Sequence, residues 1–175
     1  AVASLTTSGT GSAADSVVGG FTSVSTLTVN NAAADTFAGI LGGTGTNNNN
    51  LALTKTGAGN LVLSGGADTY TGATHINAGT LTLSNGATLG GTAVTVGTGA
   101  AAGVLQVSGN STIGTVGSGS LTIDAGAAPS TLSLADGTVN TLTINSATSG
   151  ATVLTRATTI LGTLATKADK NGNGF

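Results

Sequence analysis

Residues 51–83 read LALTKTGAGNLVLSGGADTYTGATHINAGTLTL, and this stretch sets the terms for the rest of the chain. Short triplets recur in it: Leu51-Ala52-Leu53, Leu61-Val62-Leu63, Thr74-His75-Ile76 and Leu81-Thr82-Leu83. Apolar residues at alternate positions are the mark of a strand with one buried face. Between the triplets lie Gly57-Ala58-Gly59-Asn60, Gly65-Gly66-Ala67-Asp68 and Asn77-Ala78-Gly79, which is turn composition. A strand, a tight corner and another strand, repeated with no helix between, predict a chain that coils into a β-solenoid.

The same grammar runs on either side. Leu27-Thr28-Val29 precedes it, with Asn30-Asn31 as a corner and a stretch around Phe37, Ile40 and Leu41 beyond. Val94-Thr95-Val96, Leu105-Gln106-Val107, Leu121-Thr122-Ile123, Leu132-Ser133-Leu134 and Leu142-Thr143-Ile144 follow, with room for another strand at Ile113 to Val116. Strands spaced about 8–12 residues apart also suit a sandwich or a barrel. The shortness of these strands and their Gly, Asn, Asp and Ser corners favour the solenoid. With two or three strands per coil, roughly 20–30 residues, the expectation is all-β, a parallel β-solenoid of six to eight short coils. At ~4.8 Å per coil that is a rod about 30–40 Å long. The predicted core is Leu27, Val29, Leu51, Leu53, Leu61, Leu63, Ile76, Leu81, Leu83, Val94, Val96, Leu105, Val107, Leu121, Ile123, Leu132, Leu134, Leu142 and Ile144.

Composition agrees. Of 175 residues only 6% are charged and 2% aromatic, with a net charge of −2 and 30 glycines. Ordinary soluble domains carry about 25% charged residues, so Thr, Ser and Asn must wet this surface. Disorder is a poor alternative, because mean hydropathy is +0.36 and disordered chains pair low hydropathy with high net charge. A narrow solenoid needs stackable Leu, Val, Ile and Ala rather than rings. With no cysteine there is no disulfide framework or thiolate metal site. No apolar run approaches the ~20 residues of a membrane helix. The chain begins at Ala1 rather than Met, which leads to the expectation of a processed, secreted product.

The stretch 53–83 closely resembles the autotransporter-associated β-strand repeat, also called the passenger-associated transport repeat. The likeness rests on Lys55-Thr56-Gly57-Ala58-Gly59, Leu61 to Gly65, Thr69-Tyr70-Thr71-Gly72 and Ile76-Asn77-Ala78-Gly79-Thr80-Leu81. It implies a right-handed parallel β-helix in a large secreted or surface-displayed bacterial protein, and right-handed crossovers are the general rule. Nothing in the chain resembles the membrane barrel that closes an autotransporter. The expectation is therefore a piece of a passenger or a short stand-alone solenoid. His75 stands where the family usually has a small polar residue.

Catalytic machinery is sparse. His75, between Thr74 and Ile76, faces solvent if Ile76 points inward, and a triad needs its histidine in a pocket with an oriented carboxylate. The six acids, Asp15, Asp35, Asp68, Asp124, Asp136 and Asp169, are scattered, and turn residues is the preferred reading. Polysaccharide-cleaving sites cluster theirs. Asp169, Asn171, Asn173 and Gly174 match the first half of an EF-hand-type loop, with no acid to complete it. They are a weak candidate calcium contact against the simpler reading of a tail. Asn110-Ser111-Thr112 is a formal glycosylation triplet. Four basic residues, Lys55, Arg156, Lys167 and Lys170, give nucleic-acid binding no footing. No enzyme activity and no cofactor are expected.

One solenoid domain over 1–175 is expected, with coils at 24–150 and capping or inter-subunit segments at 1–23 and 151–175. The last contains Val153, Leu154, Ile160, Leu161 and Leu164 at helical spacing, yet it is Thr-rich and holds Gly162. A capping helix and two further strands both fit, with strands preferred. Neither end shows charged caps, which natural solenoids need to stay single. Leu5, Val17, Val18, Phe21, Val153, Leu154, Ile160, Leu161, Leu164 and Phe175 are the candidate assembly residues. Head-to-tail contact that does not close builds a filament. The expected function is thus a structural subunit of a secreted bacterial filament or matrix, with itself as partner. The alternative is an autotransporter-like adhesin stalk meeting glycans or a host surface. A carbohydrate-active β-helix enzyme is a remote third.

Overall fold

The computed structural model describes residues 1–97, 101–114, 118–123, 129–134 and 141–145, and the backbone at 152–154 and 159–161. All regular structure among them is strand, apart from one 3-10 turn at Ser12–Ala14. The strands are β1 (Ser16–Val17), β2 (Ser25–Val29), β3 (Asp35–Phe37), β4 (Ile40–Leu41), β5 (Leu51–Lys55) and β6 (Asn60–Leu63). Then come β7 (Thr74–Ile76), β8 (Gly79–Ser84), β9 (Thr88–Leu89), β10 (Ala93–Val96), β11 (Gly103–Ser108) and β12 (Ser111–Ile113). The last are β13 (Ser120–Ile123), β14 (Thr131–Ser133), β15 (Leu142–Ile144), β16 (Thr152–Leu154) and β17 (Thr159–Leu161).

Every strand pairs with one from the next turn, and every pair is parallel. One face is the six-stranded sheet β2-β5-β7-β10-β13-β16, and a second is β3-β6-β8-β11-β14-β17. A third carries β9-β12-β15, prolonged by the bridge Ala67 to Thr88. This is a β-solenoid. Strands stand on all three faces in four turns, β2–β4, β7–β9, β10–β12 and β13–β15. The six to eight coils expected were somewhat too many, because each full turn consumes three strands and residues 1–24 add none to the two large sheets. The described residues of the C-terminal stretch are strands, β16 and β17.

Register places like over like. On the second face the inward column runs Asp35, Leu61, Leu81, Leu105, Leu132, and Ile160 of β17 is next in backbone register. Beside it stand Phe37, Leu63, Leu83 and Val107. On the first face one inward column reads Val29, Lys55, Ile76, Val96, Ile123, and Leu154 of β16 is next in backbone register. Its neighbour reads Leu27, Leu53, Thr74, Val94, Leu121. Most of these aliphatic side chains are wholly buried, while Leu27 and Ile144 are partly buried at the edge of the core. Each fully buried Leu, Ile or Val contributes ~1.5–3 kcal/mol relative to exposure.

The outward column of the first face is Thr28, Thr54, His75, Thr95, Thr122. On the second face the Thr82 hydroxyl donates to Asn60 Oδ1 at 2.9 Å and its oxygen lies 3.3 Å from Gln106 Oε1. Such axial bonding between side chains wets the walls without charge. Corners use left-handed backbone where a sharp reversal demands it: Asn85 and Gly86, between β8 and β9, have φ of +54° and +79°.

Candidate functional site: the solenoid end and a buried polar seam

The first turn does not begin with a bare edge. Residues 1–17 cross it as a strap that bonds to all three faces in succession. Val2 donates to Thr28 O and accepts from Asn30 N, both at 2.8 Å, which covers β2. Thr7 donates its N–H to Thr36 O at 3.1 Å and its Oγ1 accepts from Ala38 N at 2.9 Å, which covers β3. β1 then pairs with β4, where Ile40 and Gly42 donate to Asp15 O and Val17 O at 2.8 Å.

Asp35 anchors the middle of the strap. Its Oδ1 accepts from the Ser4 hydroxyl and its Oδ2 from Leu5 N, each at 3.0 Å. A carboxylate therefore heads the leucine column, satisfied by the strap above it. This corrects one expectation: Asp35 is a strand residue, 7% exposed, rather than a corner acid. The strap has too few apolar residues to form a core of its own, so its backbone bonds the strand edges instead.

The candidate assembly residues fall into different places. Leu5 and Val17 pack against the molecule's own core. Val18 and Phe21 are exposed, at 41% and 69%, and with Val2 and Val24 they are the large exposed apolar side chains among the described residues. Phe21 and the Val18–Gly19 backbone lie beside the asparagine loop, where Asn50 Nδ2 donates to Phe21 O at 2.9 Å and Gly19 N to Asn48 O at 2.8 Å. Val153 and Leu154 are on β16, and Ile160 and Leu161 on β17, with only their backbone described. Leu164, Phe175 and the weak calcium candidates Asp169, Asn171 and Asn173 lie outside the described residues, as do Asp124 and Asp136.

A second polar feature lies inside the coil. Tyr70 is fully buried, and its hydroxyl is 2.6 Å from Thr74 Oγ1, which is 3.1 Å from Thr92 Oγ1. Burial raises the phenol's pKa, so it stays neutral. Asp68 is 4% exposed and its Oδ1 accepts from Leu41 N at 2.8 Å, tying one turn to the previous one. Burial pushes its carboxyl up to about 7, with the Leu41 bond opposing. Asp68 is thus no solvated turn residue, because the chain dips inward here and leaves its carboxylate in the wall. Lys55 is fully buried, and its ammonium donates to Gly57 O and, at 3.5 Å, to Ala78 O. Burial lowers its pKa and the charge of Asp35 works the other way.

Lys55, Asp68 and Tyr70 were missed as interior residues. A usable signal existed for Lys55, since Leu51, Leu53 and Lys55 keep one parity along a strand. For Tyr70 the surrounding Thr and Gly mimic a corner. His75 points outward between Thr54 and Thr95, half-buried, with no partner at its Nδ1. No group of three or more His, Cys, Asp or Glu that would suit a metal occurs among the described residues.

Lys55, Asp68, Tyr70 and Thr74 fall within one 31-residue stretch whose sequence has known relatives. Residues 53–83 match the passenger-associated transport repeat. In this molecule the repeat runs from β5 through β8, slightly more than one turn, and carries its own polar filling. A repeat of this kind within a β-solenoid fits an autotransporter passenger-like region. No curated protein and no solved structure matches the chain. Among the described residues no helix is long and apolar enough to cross a membrane.

Proposed function

We propose that the chain is a structural, non-catalytic length of solenoid in a secreted or surface-displayed bacterial protein, and that copies join head to tail into a filament or matrix. The observation that carries this reading is the placement of the exposed apolar side chains. Among the described residues Val2, Val18, Phe21 and Val24 all belong to the first 24 residues, beside the first turn, while the walls are Thr, Ser and Asn. Parallel in-register columns also mean that one end of a solenoid is the natural continuation of the other. Electron microscopy of concentrated pure protein tests it, with filaments of solenoid width expected. Uniform single rods at every concentration refute polymerisation.

A second structural reading has its own support in the match to the passenger repeat. Here the solenoid is a stalk within a larger adhesin, and its lateral Thr and Asn ladders meet surface glycans or a host surface. Glycan-array binding that is lost on substituting Thr28, Thr54 and Thr95 together supports the stalk. No catalytic role is assigned to His75, whose neighbours along the outward column are threonines.

A further inference from the structure

The strap is built unlike everything it covers. Residues 1–16 are exposed except for Leu5 and Thr7, which are half-buried, and for Ser12, whose side chain is not described. Little apolar area therefore holds it, and apolar area is the main source of adhesion in a fold. What holds it is backbone bonding at Val2, Thr7, Asp15 and Val17, plus the two bonds to Asp35. Water offers comparable partners, so each backbone bond is worth only ~0.5–1.5 kcal/mol net, and each of the two to the Asp35 carboxylate ~1.5–3 kcal/mol. Segments with few buried apolar contacts are the first to open in native proteins.

Lifting the strap would leave the N–H groups of Asn30, Ala38, Ile40 and Gly42 and the carbonyls of Thr28 and Thr36 without partners. Those groups lie on all three faces of one end, and a row of unpaired strand edge is a template for another chain. We propose that residues 1–17 are a detachable, autoinhibitory strap. In its closed state it occupies the docking edge that the β16–β17 coil of a second copy takes when it is withdrawn. This rests on the head-to-tail reading and adds its regulation. The occupant is a second copy because the strap satisfies the end with main-chain bonds in parallel register, the mode in which successive turns of this chain meet.

The test keeps the full chain and loosens the strap with Val2→Pro and Thr7→Pro. These remove the donors to Thr28 O and Thr36 O without touching a fully buried side chain. Amide hydrogen exchange and sedimentation velocity are read together. Faster exchange at residues 28–42 with unchanged protection in β7–β12, accompanied by growth of large species at concentrations well below those at which wild type forms them, is the expected result. A synthetic peptide of residues 1–17 should suppress that growth. Unchanged exchange overturns the strap as a detachable element. Wild type that polymerises as readily as the variant overturns inhibition but leaves the head-to-tail reading standing. Faster exchange with both proteins monomeric overturns inhibition and the head-to-tail reading together.

Discussion

Asp35 stands over Leu61 in parallel register, so a column of leucines opens with a carboxylate. That one substitution separates the first turn from those that follow. The aliphatic column continues below it, and the bonds from Ser4 and Leu5 close it above. A charge buried in this position without partners would cost several kcal/mol; the Ser4 and Leu5 donors satisfy it while the strap is closed, and water does so when the strap lifts.

Leu63 is stacked between Phe37 and Leu83 and is 2% exposed. Leu63→Asp places an uncompensated charge in the stack, and loss of the folded state is expected. A native β-type circular-dichroism spectrum with a cooperative melt would contradict the assignment of this side chain to the interior.

The Tyr70 hydroxyl should matter less than the ring. Tyr70→Phe removes one buried hydrogen bond, while Thr74 keeps Thr92 as a partner, and a loss of about 1 kcal/mol is expected. Tyr70→Ala empties a fully buried aromatic site and should cost ~3–5 kcal/mol. Urea titrations of the two variants give the comparison, and equal losses would place the energy in the bond instead.

Asp68 makes stability depend on pH in an unusual direction for an acid. Its carboxyl titrates at about 7 in the fold and ordinarily near 3.8, so between those values the folded chain holds the extra proton. Its contribution is fully present below pH ~4 and is lost as pH rises through ~7. The total is on the order of 4 kcal/mol, taking about 1.4 kcal/mol per pH unit. Asp68→Asn should flatten that part of the profile, measured as denaturation midpoints from pH 4 to 8. A variant that keeps the wild-type slope would assign the effect elsewhere.

Lys55 works oppositely. Its lowered pKa means that the unfolded chain binds the proton more tightly, so its contribution grows with alkaline pH up to the ordinary lysine value, ~10.4. Lys55→Met exchanges a buried cation for an apolar side chain of similar reach. Stability within about 1 kcal/mol of wild type is expected, without the alkaline rise. Both variants strip the donor from Gly57 O and Ala78 O, but Lys55→Ala also leaves a cavity and should lose at least ~2 kcal/mol more than Lys55→Met. Equal melting temperatures for the Met and Ala variants would show that the stem contributes no packing.

Two glycines of the same repeat should respond in opposite ways. A Cβ at Gly57 would drive into the backbone of Asn31 on the turn before, whereas one at Gly66 would meet nothing within 4 Å. Gly57→Ala should therefore prevent the two turns from stacking, while Gly66→Ala is expected to be neutral or stabilising by up to ~1 kcal/mol. Thermal melts decide it, and a destabilised Gly66→Ala would mean that the corner needs glycine for its backbone alone.

The strands that were legible were those whose inward residues are aliphatic. Leu61-Val62-Leu63 and Val94-Thr95-Val96 announce themselves because parity and burial coincide. β3 hid because one of its two inward residues is Asp35, and β9 because two residues hold no period. Tyr70 and Asp68 were illegible for a different reason: they are polar residues placed inward on a segment without strand alternation, and only the stacking of neighbouring turns fixes their direction. The strap carries no alternation at all. Its path is dictated by the edge it covers.

Because successive turns are linked by strand bonds lying along the stacking direction, a pull along the rod loads those bonds one turn after another instead of sharing the force between them. The weakest link then sets the mechanical limit, and among the described residues the segment crossing Asp35 buries little apolar area. For a molecule anchored at both tips, the expected outcome of optical-trap extension is a first yield in residues 1–17, like a fuse, ahead of a ladder of turn-sized steps.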